Sequence, residues 1–279
     1  MITKDNLWAV VVWYHPTEEQ KANIETYRPY VHDVVVVDNT ENNVGIAAAL
    51  NRGVQACIAG GAEWILTMDQ DSHFNDDEND NANENDNANA YSLKQYIASA
   101  NGFDDMAHVG LFSPIQNYNH KMPRTSGPYD DMVAVMTSGN IISAEAYRCS
   151  AGFREEFFID LVDNEYCLQM HRLGLRVIRV NSTLLVHSLG DELYHVRLFG
   201  IWKKEVISHK PFRYYYMVRN NLLTQRMYPE HKRFHSKRLG RIVKRVILYD
   251  RVNKLAKLRM IWRGYRDFLA HRTGPYQNH

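Results

Sequence analysis

The 279-residue chain predicts an α/β fold, a mainly parallel sheet flanked by helices and followed by a basic helical C-terminal extension. Three observations carry that expectation. β-Branched runs alternate with helix-like stretches across the first third, joined by short connections, which is the signature of βαβ units. Polar clusters stand where those runs end, the place where open α/β sheets bind their ligands. Lys and Arg crowd residues 231–279, where fourteen of them meet two acids, Asp250 and Asp267.

Taken in order, LWAVVVWY (7–14) reads as a buried strand ended by Pro16. EEQKANIETYRPY has helical spacing at Ile24 and Tyr27, and VVVV (34–37) is a second buried strand that stops at Asp38 and Asn39. Residues 43–61 predict a helix that ends at Gly60-Gly61, since glycine accepts the left-handed cap. WILTM (64–68) is the third strand, released at Asp69-Gln70-Asp71. The tract 75–90 repeats NDNAN and holds six acids with no aromatic or β-branched residue, a composition that cannot offset the entropy of ordering and predicts a disordered insertion. A calcium loop would need a mid-loop Gly and a final Glu that the tract lacks. Beyond it, SLKQYIASA predicts a helix and 109–116 a strand. Residues 132–147 predict strand, turn and helix, and 155–175 an extended start that becomes an amphipathic helix. RVIRV (176–180) and TLLVHS (183–188) predict two further strands.

Composition limits the function. Cys57, Cys149 and Cys167 form no paired motif and fit a reducing compartment. The N-terminal apolar run is too short for a signal peptide, and no stretch nears the roughly 18 apolar residues of a membrane span, so a cytoplasmic protein is expected. In 242–265, apolar residues recur in steps of three and four with cations between them. Such a helix either lies peripherally on an anionic membrane surface or packs on the rest of the chain with its charges solvated.

The three polar clusters, Trp13-Tyr14-His15, Asp38-Asn39 and Asp69-Gln70-Asp71, should meet on one rim of the sheet. Asp69 and Asp71 offer hard oxygens suited to Mg²⁺ or Mn²⁺; alternatively they are two surface carboxylates at a strand end. His15, His171 and His195 have no metal-ligand spacing.

The ordered set VVWYHP, VVVVDNT, NVGIAAALNRG, ILTMDQDS, TSGNIIS, GFREEFFIDLVDNEYCLQMHRLG, VHSLGD and RYYYMVRNNLLTQRMYP resembles family 2 glycosyltransferases, and is most similar to their bacterial rhamnosyltransferase branch. The resemblance covers about residues 5–230. It implies a GT-A catalytic domain over 1–230, with 231–279 as a basic amphipathic extension. It also implies inverting, metal-dependent transfer of a sugar, with rhamnose from deoxythymidine diphosphate–rhamnose the leading donor, to a glycan or lipid-linked glycan in cell-surface polysaccharide synthesis. By resemblance, Trp13, Tyr14, Asp38 and Asn39 lie at the nucleotide, Asp71 with Asp69 at the metal and diphosphate, and His187 near the same metal. Asp163 falls at the catalytic base. The family's Glu-Asp-x-Asp pattern is altered here to Val162-Asp163-Asn164-Glu165, which keeps Asp160 as a rival base and leaves Glu165 to orient an acceptor hydroxyl. Ser138, Gly139 and Asn140 would admit the sugar closely. Arg219 would grip the diphosphate through bidentate contacts, or else pack in an aromatic helix. A nucleic-acid-binding protein would use the basic tail yet leave Asp69, Asp71 and Asp163 unexplained, so no nucleic acid is expected. A phosphohydrolase with the same Asp-x-Asp would place it after the first strand rather than the third.

Overall fold

The computed structural model describes residues 1–74, 92–117, 123–187, 192–198, 202–250 and 252–277. The predicted insertion, 75–90, lies outside them. The chain forms two compact units, Met1–Arg154 with Asp163–Ser188, and Glu155–Val162 with Leu189–His279.

The first unit is a mixed eight-stranded sheet between helices. Its elements are β1 (Leu7–Trp13), α1 (Glu18–Ala22), β2 (Val34–Asp38), α2 (Ile46–Ala59), β3 (Trp64–Asp69), β4 (Ser72–His73), α3 (Leu93–Asn101), β5 (Val109–Asn117), β6 (Tyr129–Asp131), β7 (Asn140–Ser143), α4 (Ala144–Cys149), α5 (Val162–Arg172) and β8 (Arg176–His187). The strand order is β2-β1-β3-β7-β5-β8-β4, with β6 on β8. β1 pairs in parallel with β2 and β3, and β5 with β8, while β7 enters antiparallel between β3 and β5.

Alternation along β1 explains its central position. Leu7, Ala9 and Val11 face a core shared with Leu66, Met68, Phe112 and Ile178, closed by Leu93, Tyr96 and Ala100 of α3. On the other face α2 brings Gly53 against Val10. Each aliphatic side chain so buried contributes about 1.5–3 kcal/mol, which is why the run is β-branched on both faces. Cys57 and Cys167 are buried, burial pushing both thiols up to about 12, and Cys149 is exposed.

Several expectations need correction. The strand expected from residue 132 is absent: β6 ends at Asp131, Met132 makes one further backbone bond to Val177, and the next strand begins only at Asn140. Residues 132–135 are apolar, but past the Met132 bond they enter no ladder among the described residues, so pairing overrides propensity. Residues 176–180 and 183–188, read as two strands, form the single β8. Opposite Pro114 the register jumps from Val180 to Leu184, so Asn181–Thr183 bulge. Proline has no N–H for the ladder, and a bulge is where a sheet accommodates it. The start of 155–175 is not extended. It is a 3₁₀ turn at Glu155–Phe157 followed by left-handed backbone at Phe158, Asp160 and Leu161.

The second unit holds an antiparallel pair, β9 (Glu192–Leu198) with β10 (Trp202–Ser208), and helices α6 (Pro211–Met227), α7 (Lys232–Leu248) and α8 (Lys254–Leu269). Tyr214, Tyr215 and Tyr216 of α6 form its core with Val246 of α7 and Met260 of α8. The Tyr-rich helix therefore packs with the basic C-terminal helices. Gly264 sets the α6–α8 approach, since a Cβ there would lie 2.5 Å from the Tyr215 carbonyl oxygen. The one continuous stripe expected over 242–265 is broken between α7 and α8. Asp250 turns inward, and Asn253 takes the left-handed conformation that begins α8.

Candidate active site

The parallel register brings the three polar clusters side by side. Trp13 lies opposite Asp38, and Val12 lies between Val37 and Asp69. The carboxyl ends of β1, β2 and β3 thus share one rim of the first unit, where open sheets bind nucleotides.

Side chains cross-link that rim. The Gln70 carboxamide accepts from the Tyr14 N–H at 2.7 Å and donates to the Tyr14 carbonyl at 3.3 Å. Its Nε2 also reaches Gln20 Oε1 at 3.1 Å, and Asn23 donates to the Gln70 carbonyl at 2.8 Å. His15, held at a φ of 50°, donates its N–H to Thr40 Oγ1 at 3.1 Å, while Thr40 N–H donates to Asp38 Oδ1 at 2.9 Å. Asp38 is solvent-exposed, and its carboxyl is held below the usual carboxylate range first by the Thr40 side chain and then by the Thr40 amide. It therefore presents an anion that can accept a base N–H. Tyr14 projects half-exposed beside it, edge-on to His15. Trp13 packs partly into the core with the Lys21 ammonium 5.9 Å from its ring centroid. Buried Asn39 accepts from Val44 N–H at 3.0 Å and so ties the end of β2 to the loop before α2.

β3 is locked at its tip. Asp69 N–H donates to Ser138 Oγ at 3.0 Å, Gly139 N–H to the Thr67 carbonyl at 2.7 Å, and Gln116 Nε2 to the Ser138 carbonyl at 2.7 Å. Gly139 has a φ of 80°, and a Cβ there would meet Pro114 Cγ at 2.7 Å and Leu185 Cδ2 at 3.0 Å. Ser138 and Asn140 are buried. The close approach that Gly139 allows is thus to protein side chains, where the sequence reading expected a sugar.

Asp69 and Asp71 are half-buried at this tip. β4 pairs with β8 so that Ser72 lies opposite His187, which puts the His187 backbone beside the Asp-x-Asp turn. The His187 side chain lies outside the described residues. Among the described residues no group of three or more His, Cys, Asp or Glu could hold a metal by itself. The chemistry of the donors nevertheless fits Mg²⁺ or Mn²⁺, which take few protein carboxylates and leave their other positions to diphosphate or water.

The acidic cluster of α5 divides by direction. Asp163, in the first turn, accepts from the Asn164 N–H at 2.7 Å and from Asn164 Nδ2 at 3.1 Å. Glu165 is rotated about 200° from it at about 100° per residue. It is fully buried, accepting from Arg154 Nε at 2.8 Å and Gln169 Nε2 at 2.7 Å. Gln169 in turn holds the Gly152 carbonyl and the Ala151 N–H. Glu165 thus pins the loop before α5, which replaces the expectation that it orients an acceptor hydroxyl.

Asp160 and Arg219 belong to the second unit. The Asp160 carboxylate is 8% exposed and paired with Arg213 Nη2 at 2.7 Å. Arg219 is fully buried. Its guanidinium donates to the carbonyls of Gly274 at 2.6 Å, Glu156 at 2.9 Å and Phe157 at 3.2 Å. Asn220 Nδ2 reaches the carbonyls of Phe157, Ile159 and Asp160 at 2.8–2.9 Å. The Arg-Asn pair therefore clamps the left-handed segment 158–161, whose strain of about 1–3 kcal/mol per residue needs such support. With its donors spent on main-chain carbonyls, Arg219 is not the expected diphosphate ligand.

Gln70 is the residue that sequence reasoning passed over. In the sequence it stands between two acids as part of a polar cluster, and only the β1–β3 register reveals its partner. Gln70→Ala should weaken donor binding by roughly tenfold, through the loss of about 1–2 kcal/mol of hydrogen bonding, with little change in melting temperature. Titration calorimetry with the nucleotide reads this directly, and unchanged affinity would reduce Gln70 to loop decoration.

The rim of β1–β3, the Asp-x-Asp at the end of β3 and Asp163 at the start of α5 stand where the resemblance to glycosyltransferases puts the site. The sequence profile of Glycosyl transferase family 2 matches residues 5–81, and the chain belongs to that family. It is 30% identical over 257 residues to the dTDP-rhamnosyl transferase RfbF of Shigella flexneri, a match that covers 79% of this chain and 80% of that protein. Among solved structures, that of GalNAc-T7 with UDP, GalNAc and Mn²⁺ superposes with a TM-score of 0.50 at 9% identity. The superposition covers 65% of this chain and 43% of that one; at that identity the likeness concerns the fold alone.

Proposed function

We propose that this glycosyltransferase moves rhamnose from deoxythymidine diphosphate–rhamnose to a glycan or lipid-linked glycan of the cell surface, with inversion at the anomeric carbon. The observation that carries the reading is the shared rim of β1, β2 and β3, which sets Asp38 and Tyr14 beside the Asp69–Asp71 turn. The donor sugar rests on the likeness to the Shigella enzyme.

In this reading the nucleotide lies on the rim, its base against Tyr14 with an N–H donated to Asp38. Asn39, Gln70 and Ser138 hold the strand ends that contact it. A divalent cation, when bound, would be held by Asp71 and Asp69 with His187 near, and would neutralise the departing diphosphate. Asp163 takes the proton from the acceptor hydroxyl as that oxygen bonds to C1, and the bond from C1 to the diphosphate oxygen breaks. Asn164, donating twice to Asp163, keeps the carboxylate aimed. The reaction is placed in the cytoplasm, with residues 1–230 as the catalytic region. No helix among the described residues is long and apolar enough to cross a membrane.

The test is turnover across a panel of nucleotide sugars with Mn²⁺ or Mg²⁺ against EDTA, for wild type and Asp71→Ala. The expected result is turnover of deoxythymidine diphosphate–rhamnose alone, lost with EDTA and lowered by about 10²-fold or more in Asp71→Ala, the scale of losing an electrostatic clamp on the leaving group. Undiminished turnover in EDTA would sink the metal role, and preference for another donor would sink the assignment of the sugar.

A further inference from the structure

α8 leaves several of its large apolar residues outside the core, where an ordinary surface helix would bury them. It buries Lys257, Met260, Gly264 and Asp267, while Leu255 is 84% exposed, Trp262 59% and Leu269 57%, with Tyr265 also exposed between them. These positions recur in steps that keep one face of a helix. The inward choice has specific causes. Lys257 pairs with Asp250, Gly264 admits the α6 backbone, and Asp267 accepts from the Tyr215 hydroxyl at 3.0 Å. With Lys257, Gly264 and Asp267 taking inward positions beside Met260, the helix leaves Leu255, Trp262, Tyr265 and Leu269 facing water. Ile247, Leu248 and Val252 extend the exposed apolar surface through the turn between α7 and α8.

The charge distribution says what covers this face. Residues 231–279 contain no acids besides Asp250 and Asp267, and both are buried, ion-paired with Lys257 in one case and with Arg266 and Arg272 in the other. Neither Asp side chain of the segment reaches solvent, whereas Lys237, Arg241, Lys244 and Arg259 do. An apolar stripe bearing Trp and Tyr, on a segment whose surface charge is wholly positive, complements an anionic bilayer, where aromatic rings sit at headgroup depth and cations meet phosphate. A nucleic acid would satisfy the cations and leave the stripe in water.

We infer that the outward face of α8, with the α7–α8 turn, docks the protein on an anionic membrane surface. The inference extends the lipid-linked reading of the acceptor, but it is tested without donor or acceptor, so that membrane docking and sugar transfer fail separately. The full chain is floated with vesicles of phosphatidylglycerol and phosphatidylcholine, or phosphatidylcholine alone, as wild type and as Leu255→Glu/Trp262→Glu. Leu269→Glu serves as a second variant on the same stripe, and circular dichroism verifies folding.

The expected result is binding to the anionic vesicles, a blue shift of tryptophan emission that the double variant lacks, and a loss on the order of tenfold or more in partitioning for that variant. Transfer to a soluble acceptor should be unchanged in it. Vesicle binding that survives both variants would overturn the inference. So would preference for a nucleic acid of equal charge over the vesicles, or a concentration-dependent dimer that the stripe variants abolish, since another occupant would then cover the face.

Discussion

Asp163→Asn is expected to lower sugar transfer by about 10²–10⁴-fold, the range that a positioned general base supplies, while nucleotide binding stays intact. The expectation follows from where the carboxylates point. Glu165, two residues on, is consumed by Arg154 and Gln169 in the interior. Asp160 is tied to Arg213 at 2.7 Å, so its carboxylate is already committed to an ion pair. Asp163 accepts from the main-chain and side-chain nitrogens of its neighbour Asn164, contacts that orient a carboxylate. Single-turnover kinetics of Asp163→Asn and Asp160→Asn, with donor affinity measured separately, divide the roles. A large kinetic loss in Asp160→Asn with Asp163→Asn near wild type would make Asp160 the base.

Lys257→Met should cost about 3–5 kcal/mol of stability, the usual effect of removing one partner of a buried ion pair. Lys257 and Asp250 are both buried, with Nζ 2.6 Å from Oδ2. Lys257 also donates to Ser208 Oγ, and Tyr214 donates its hydroxyl to Asp250 at 3.1 Å. The single variant leaves the Asp250 carboxylate in the core without its cation, held by the neutral donors of the Tyr214 hydroxyl and the Val252 N–H. The double variant Lys257→Met/Asp250→Leu removes the stranded charge and should recover most of the loss, because a hydrophobic replacement for a buried pair is often neutral. Urea denaturation of wild type, both singles and the double closes the cycle. A loss below about 1 kcal/mol in the single variant is what a solvated surface pair shows, and it would refute the burial argument.

The same pair explains why the C-terminal helices were misjudged from their sequence. The stripe over 242–265 reads as one amphipathic helix because apolar spacing is blind to a charged residue that finds an opposite charge inside. Asp250 and Lys257, seven residues apart, look like solvated charges. Packed, they lie at the break between the helices and take inward positions, which leaves Leu255, Trp262 and Leu269 exposed while Met260 stays in the core. Arg219 misled in the same way. A guanidinium after three tyrosines suits phosphate, but its partners are carbonyls of residues 156, 157 and 274, far along the chain. The left-handed turns at Phe158, Asp160 and Leu161 carry no glycine that would have announced them.

By itself, the amino-acid sequence determined the class of sheet, the order of its first three strands, the polar clusters at their ends and the family to which the chain belongs. Those features depend on local pattern, namely β-branched runs, cap residues and motifs at near-constant spacing, and local pattern survives in one dimension. Only the tertiary structure decided that Gln70 clamps Tyr14, that Glu165 and Arg219 are held by interior partners, and that α8 leaves Leu255, Trp262 and Leu269 exposed. Each of those depends on which distant group meets a polar side chain once water is excluded. A buried charge or amide is placed by its partner, and the partner is a property of the fold.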